Sequence, residues 1–238
     1  MDNNSSSFKW AVDAGNTSIK TALFSVDDCL EIKHWSYSDF EMGWKAYWNQ
    51  YHQPKVVFSS VGNDLPKDFL EVAQVFVPTS LTGWHWEYEV RESLGVDRIA
   101  AVLGAVHFFS EDRKILVVDM GTCVTYTLRD GLEIIGLSIV PGLEMRWKAM
   151  NHFTKKLPLV GWETKVEKRG TLQNIWEGGK KGWQMEQLNW ITYFCQLYHV
   201  DRVVLTGSDV VHLEIDEHAK WMKIPYLNLH GLKSWMDV

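Results

Sequence analysis

The sequence predicts an α/β protein built from two related halves, and three observations carry that prediction. The first is a duplicated turn: Val12-Asp13-Ala14-Gly15-Asn16-Thr17 near the start and Val118-Asp119-Met120-Gly121-Thr122 just before the middle. The second is that each copy ends an apolar run and leads into an alternating one, the pattern of a strand, a tight turn and another strand. The third is that the order of elements after the first copy restarts at the second. One Asp-x-Gly turn means little, because both residues favour turns on conformational grounds. Two copies in equivalent settings, about a small domain apart, point to two halves facing one another with a nucleotide between them.

Taken in order, Phe8 to Asp13, Ile19 to Phe24 and Leu30 to Ser36 read as a three-stranded meander. Aromatic residues at helical intervals predict a helix from Asp39 to Tyr51, and Pro54 closes it before the apolar strand Lys55 to Val61. The turn residues Gly62-Asn63-Asp64-Leu65-Pro66 precede a short helix and a strand from Gln74 to Val77. The apolar helix Asp97 to Phe109 then joins the halves directly, with no low-complexity linker, which places the expected domains at 1–112 and 113–238. In the second half Lys114 to Asp119, Val124 to Leu128 and Leu132 to Val140 form three strands around the turn Arg129-Asp130-Gly131. Pro141-Gly142 opens a helical stretch to about Phe153, a longer helix runs from Leu172 to Tyr198, and Arg202 to Leu205 is a strand ending at Thr206-Gly207-Ser208-Asp209.

Composition narrows the chemistry. A 46% hydrophobic share over 238 residues supports one large domain or two small ones sharing a cleft. With 24 basic against 30 acidic residues, the net charge of −6 argues against a general nucleic-acid or anionic-membrane surface, so any phosphate must be held locally. No run is long enough to span a bilayer, and the polar start Met1 to Ser7 lacks the basic and apolar regions of a signal peptide. Cys29, Cys123 and Cys195 are too scattered for a zinc site or a disulfide framework, which fits a reducing cytoplasm. The thirteen tryptophans fall throughout the chain and are assigned to packing.

The turns offer what phosphoryl transfer needs: charge neutralisation, positioning, and a group to take the nucleophile's proton. Asp13 and Asp119 are candidates to hold Mg²⁺, a hard ion that keeps part of its water shell. Gly15, Asn16, Thr17, Gly121 and Thr122 are candidate hydrogen-bond donors to ATP phosphates, with Lys20 a further candidate. Gly95-Val96-Asp97-Arg98, just before an apolar helix, supplies the acceptor side. There Asp97 is the candidate base for a substrate hydroxyl and Arg98 a clamp for a substrate oxygen or carboxylate. Read structurally instead, Asp97 would cap the helix and Arg98 would be solvated.

Taken together, Asp-x-Gly-Asn-Thr at 13–17, Gly-x-Asp-Arg at 95–98, Asp-x-Gly-Thr at 119–122, Ile139-Val140-Pro141-Gly142, Thr154 and Leu157-Pro158 resemble the type III pantothenate kinases. The match runs in order from Asp13 to Thr206-Gly207 and covers most of the chain. The resemblance implies two tandem ribonuclease-H-like domains of the actin-like ATPase type, usually in a homodimer. It also implies ATP-dependent phosphorylation of pantothenate, the first step of coenzyme A synthesis, with Mg²⁺ and a monovalent cation, K⁺ or NH₄⁺. By that resemblance Asp97 is the base, Asp13 and Asp119 organise metal and phosphates, and Tyr88, Gly95, Val96, Asp97, Arg98 and Thr171 belong to the pantothenate pocket. Four positions depart from the family pattern: Arg91 replaces a proline, Thr127 a carboxylate tied to the cation site, and Leu137 and Ser208 replace glycines. A nucleotide-binding regulatory protein of the same family, without kinase activity, is the alternative reading.

Overall fold

A computed structural model of the chain describes residues 8–26, 28–62, 64–87, 94–165, 169–215 and 220–237. It resolves into two compact units: Met1–Glu111 with Leu132–Ile134 and Tyr226–Val238, and Asp112–Gly131 with Ile135–Pro225.

In the first unit, strands β1 (Phe8–Ala14), β2 (Ile19–Ser25) and β3 (Asp28–Trp35) form the expected meander. Ser36 caps helix α1 (Tyr37–Gln50) by accepting the Asp39 N–H at 3.0 Å, so the helix starts two residues before the aromatic periodicity alone suggests. Its Phe40, Trp44 and Tyr47, spaced one turn apart, are all buried. Strand β4 (Lys55–Ser60), helix α2 (Lys67–Val72) and strand β5 (Ala73–Val75) follow. The sheet order is β3-β2-β1-β4-β5, with β2 antiparallel and β4 parallel to β1. Trp10, Phe40, Trp44, Tyr47 and Phe69 pack together as an aromatic core on one side of this sheet. A short strand β6 (His85–Glu87), which sequence patterning does not announce, precedes helix α3 (Val96–Phe108).

The second unit repeats the plan. Strands β7 (Lys114–Met120), β8 (Cys123–Asp130) and β9 (Glu133–Pro141) are followed by helices α4 (Leu143–His152) and α5 (Thr171–Tyr198), then strands β10 (Arg202–Thr206) and β11 (Trp221–Lys223). The strand order β11-β10-β7-β8-β9 is the first sheet's order again, with β8 antiparallel and β10 parallel to β7. Fully buried Trp147 and Trp183 anchor its core. Buried Tyr126 hydrogen-bonds buried Gln187, and Arg146 on α4 grips Glu186 on α5 through both carboxylate oxygens. Lys155 and Lys156 lie past the end of α4, while Lys180 and Lys181 sit on α5 facing Glu214 and Glu177.

The last helix, α6 (Leu227–Trp235), belongs to the first unit, although it follows the second unit in sequence. It packs on α3, β1 and β4. Helices α3 and α6 approach backbone to backbone at Gly104 and Gly231: a Cβ on Gly231 would collide with the Ala100 carbonyl, and one on Gly104 with the Leu227 carbonyl. Covered in this way, α3 is buried from Arg98 to Ala105, as expected for a helix that is apolar on nearly every side.

Candidate active site

In the first unit, Asp13 is the next-to-last residue of β1 and is 8% exposed. Its register partner on parallel β4 is Ser59, and on antiparallel β2 it is Lys20. Ser59 Oγ donates to Asp13 Oδ1 at 3.0 Å, and Asn228 Nδ2 on α6 donates to Oδ2 at 2.6 Å. Burial pushes the Asp13 carboxyl above the usual range; Lys20 draws it down, Asp97 pushes it up, and the Ser59 and Asn228 hydrogen bonds lower it. Lys20 therefore acts electrostatically on Asp13 from the neighbouring strand.

Beyond Asp13 the chain turns tightly. The Gly15 N–H donates to the Ser18 carbonyl at 3.1 Å, and the Gly15 carbonyl accepts from Tyr37 Oη at 2.7 Å. Gly15 is thus engaged in shaping the turn, and Asn16 and Thr17 form its exposed tip.

Asp97 stands in the first turn of α3, whose cap is Gly95 rather than Asp97 itself. Its Oδ1 accepts the Arg98 backbone N–H at 2.8 Å, and a Cβ on Gly95 would collide with that same oxygen. The glycine of Gly-x-Asp-Arg therefore makes room for the aspartate side chain. Val96 opens the helix beside it. Arg98 is 5% exposed, which rules out the reading of a solvated surface arginine.

In the second unit, Asp119 is the next-to-last residue of β7 and half-buried, with buried Thr206 as its register partner on β10. The Gly121 N–H donates to the Cys123 carbonyl at 3.0 Å, leaving Thr122 as the exposed tip. Gly207 has φ +96°, and a Cβ there would meet Met120 backbone and lie 2.5 Å from Asp119 Oδ1, so only glycine fits against this turn. Thr171 is the first residue of α5 and exposed. Tyr88 and Arg91 lie outside the described residues. Leu137 is on β9 and Thr127 is buried on β8.

The structure thus brings Asp13, Lys20, Asp97 and Arg98 together in one unit, and Asp119, Gly121 and Thr122 at the matching turn of the other. Sequence reasoning passed over Ser59, Tyr37 and Asn228, and noted Thr206 only as part of the Thr206-Gly207-Ser208 motif, not as the partner of Asp119. Ser59 and Thr206 carried a readable signal, since each is a hydroxyl residue at the end of an apolar strand shortly before a glycine.

The profile of the type III pantothenate kinase family matches residues 10–185. The chain belongs to this family. A type III pantothenate kinase of Bacteroides fragilis is 36% identical over 236 residues, covering 95% of this chain and 96% of that protein. One from Cytophaga hutchinsonii is 36% identical over 233 residues, covering 95% and 97%. Among solved structures, a protein described as a Baf family transcriptional activator from Campylobacter jejuni superposes with a TM-score of 0.60 at 19% identity, covering 96% of this chain and 97% of that one. A ROK hexokinase from Thermus thermophilus gives a TM-score of 0.52 at 10% identity, covering 97% and 99%. At such identities the likeness concerns the fold alone, an α/β architecture of two ribonuclease-H-like domains. Nothing in these comparisons favours the regulatory alternative without kinase activity. Among the described residues, no helix is long and apolar enough to cross a membrane.

Proposed function

We propose that this chain is an ATP-dependent pantothenate kinase that transfers the γ-phosphoryl group of ATP to the terminal hydroxyl of pantothenate, opening coenzyme A biosynthesis. One observation carries the reading: on a chain of this family, Asp97 heads α3 with its Oδ1 fixed by the Arg98 backbone N–H, in the same unit as a buried Asp13 whose carboxylate is held by Ser59 and Asn228. A proton acceptor and a phosphate-side carboxylate therefore occur in the same unit.

In this reading Asp97 takes the proton of the pantothenate hydroxyl as its oxygen bonds to the γ-phosphorus and the bond to the bridging oxygen of ADP breaks. Arg98, buried and always charged, holds the pantothenate carboxylate. Gly95 and Val96 shape the acceptor floor, and by the family resemblance Tyr88 and Thr171 are further candidates to contact pantothenate. Gly15 and Gly121 set the two turns, while Asn16, Thr17, Lys20 and Thr122 contact the ATP phosphates.

The donor set fits a divalent metal. Asp13 is a buried oxygen donor whose ionised form is penalised by desolvation, a cost that a bound cation offsets, and each of its oxygens accepts a single side-chain hydrogen bond. Asp13 would hold Mg²⁺ in the first unit, where the ion would neutralise charge on the phosphates, and Asp119 is the matching candidate in the second unit. The residues fit K⁺ or NH₄⁺ less well. Thr127, where the resemblance implies a carboxylate, offers a buried hydroxyl and no charge. The expected homodimer and cytoplasmic location complete the proposal, with sedimentation of the purified protein testing the first.

The test is a coupled ADP-release assay with and without pantothenate. Pantothenate-dependent release that collapses in Asp97→Asn, with an unchanged melting curve, supports the reading. Release indifferent to pantothenate sinks it.

A further inference from the structure

We infer that Asn228, delivered from the C-terminal helix, is a positioning residue that fixes the Asp13 carboxylate for the nucleotide's metal; this rests on the reading of Asp13 given above. The geometry is specific. Asn228 Nδ2 reaches Asp13 Oδ2 at 2.6 Å, while Asn228 Oδ1 accepts the Leu229 backbone N–H at 3.0 Å. The second bond fixes which end of the amide points at Asp13, since only the NH₂ can donate. Ser59 holds the other carboxylate oxygen, so the plane of the carboxylate is set from two elements far apart in sequence.

Asn228 is 9% exposed and Asp13 8%, so water is a poor substitute for either bond. The helix that presents Asn228 is itself fixed. Tyr226, with φ +56°, turns the chain into α6 and bonds His34 at 2.9 Å, and the close contact at Gly104 and Gly231 sets α6 against α3. A residue so placed acts on the metal by orienting its ligand, and losing such a partner typically lowers metal affinity about 10- to 100-fold.

The experiment measures ATP binding by titration calorimetry, with Mg²⁺ and with EDTA, for the full-length wild type, Asn228→Asp and Ser59→Ala, alongside thermal melting and kcat and KM for ATP. Asn228→Asp keeps size and the acceptor for Leu229 but loses the donor to Asp13. We expect its Mg²⁺-dependent affinity for ATP to fall about tenfold, its binding in EDTA to stay at the wild-type level, and its KM for ATP to rise more than its kcat falls. Ser59→Ala should shift the same quantities less. If Asn228→Asp does not fold, Ser59→Ala decides alone through the same Mg²⁺ dependence. Wild-type affinity in both variants, or equal losses with Mg²⁺ and with EDTA, overturns the inference. A wild type that binds Mg²⁺ and ATP but does not phosphorylate pantothenate overturns the proposed function and leaves this inference standing.

Discussion

The two Asp-x-Gly turns sit at the same place in the same sheet order, yet their carboxylates live in different surroundings. Each aspartate is the next-to-last residue of its central strand and faces a hydroxyl residue on the parallel neighbour, Ser59 for Asp13 and Thr206 for Asp119. There the equivalence ends. Asp13 is buried and also held by Asn228 from α6, whereas Asp119 is half-buried, with the backbone of Gly207 tucked against it. Duplication supplied two cradles of one design, and the C-terminal helix, packed into the first unit, turned one of them into a rigid, desolvated site. A buried carboxylate with fixed partners suits metal positioning; a more solvated one is better screened and individually less decisive.

The largest effect that would break this comparison comes from wedging the helix away. Gly231→Leu forces a side chain into the Ala100 and Gly104 backbone, and should cost about 3 kcal/mol or more, at or above the top of the usual overpacking range; denaturant unfolding measures it. Next, Asp13→Asn should lower kcat/KM at least about 100-fold, near 2.7 kcal/mol of transition-state stabilisation, and Asp119→Asn less. Because burial penalises the Asp13 charge, the Asp13→Asn protein should melt no lower than wild type. A larger loss in Asp119→Asn would reverse the ranking of the cradles.

Smaller effects separate the turns themselves. Gly207→Ala, at φ +96°, should destabilise by about 1–3 kcal/mol, whereas Gly15→Ala, whose Cβ would meet only the Ser18 carbonyl at 3.4 Å, should cost under about 1 kcal/mol. The smallest is a pH effect confined to the first unit. His230 on α6 lies against Phe24, Phe108 and His107, and burial, reinforced by the His107 and Lys233 charges, lowers its pKa to about 4. The unfolded chain, with histidine near 6.5, takes up the proton first as the pH falls. This contribution to stability is therefore complete above about pH 6.5 and declines from there toward pH 4. His230→Gln should flatten the melting temperature over that window, and an unchanged slope would count against it.

Local pattern revealed most of the fold. Apolar runs and turn residues located β1, β2, β4, β7 and β8 within a residue or two, and the restart of the pattern announced the duplication. Boundaries moved where a side chain overrode periodicity, as when Ser36 capped α1 early. The acceptor motif was legible because its glycine and aspartate stand directly before an apolar helical run, the pattern of a helix start, and Gly95 does cap α3. What stayed hidden was long-range. Asn228 lies 215 residues from Asp13 on a helix with no distinctive signature, and only the return of α6 to the first sheet makes it a partner. For Arg98 the sequence left a substrate clamp and a solvated charge both open, and only the covering of α3 decides against the solvated one.

The most direct test of the account is to incubate the purified protein with ATP, Mg²⁺ and pantothenate and follow the products by phosphorus NMR. The account predicts a phosphomonoester signal of 4'-phosphopantothenate rising in step with ADP, and its loss in Asp97→Asn. ATP that stays intact, or is hydrolysed to inorganic phosphate with pantothenate unchanged, would contradict it.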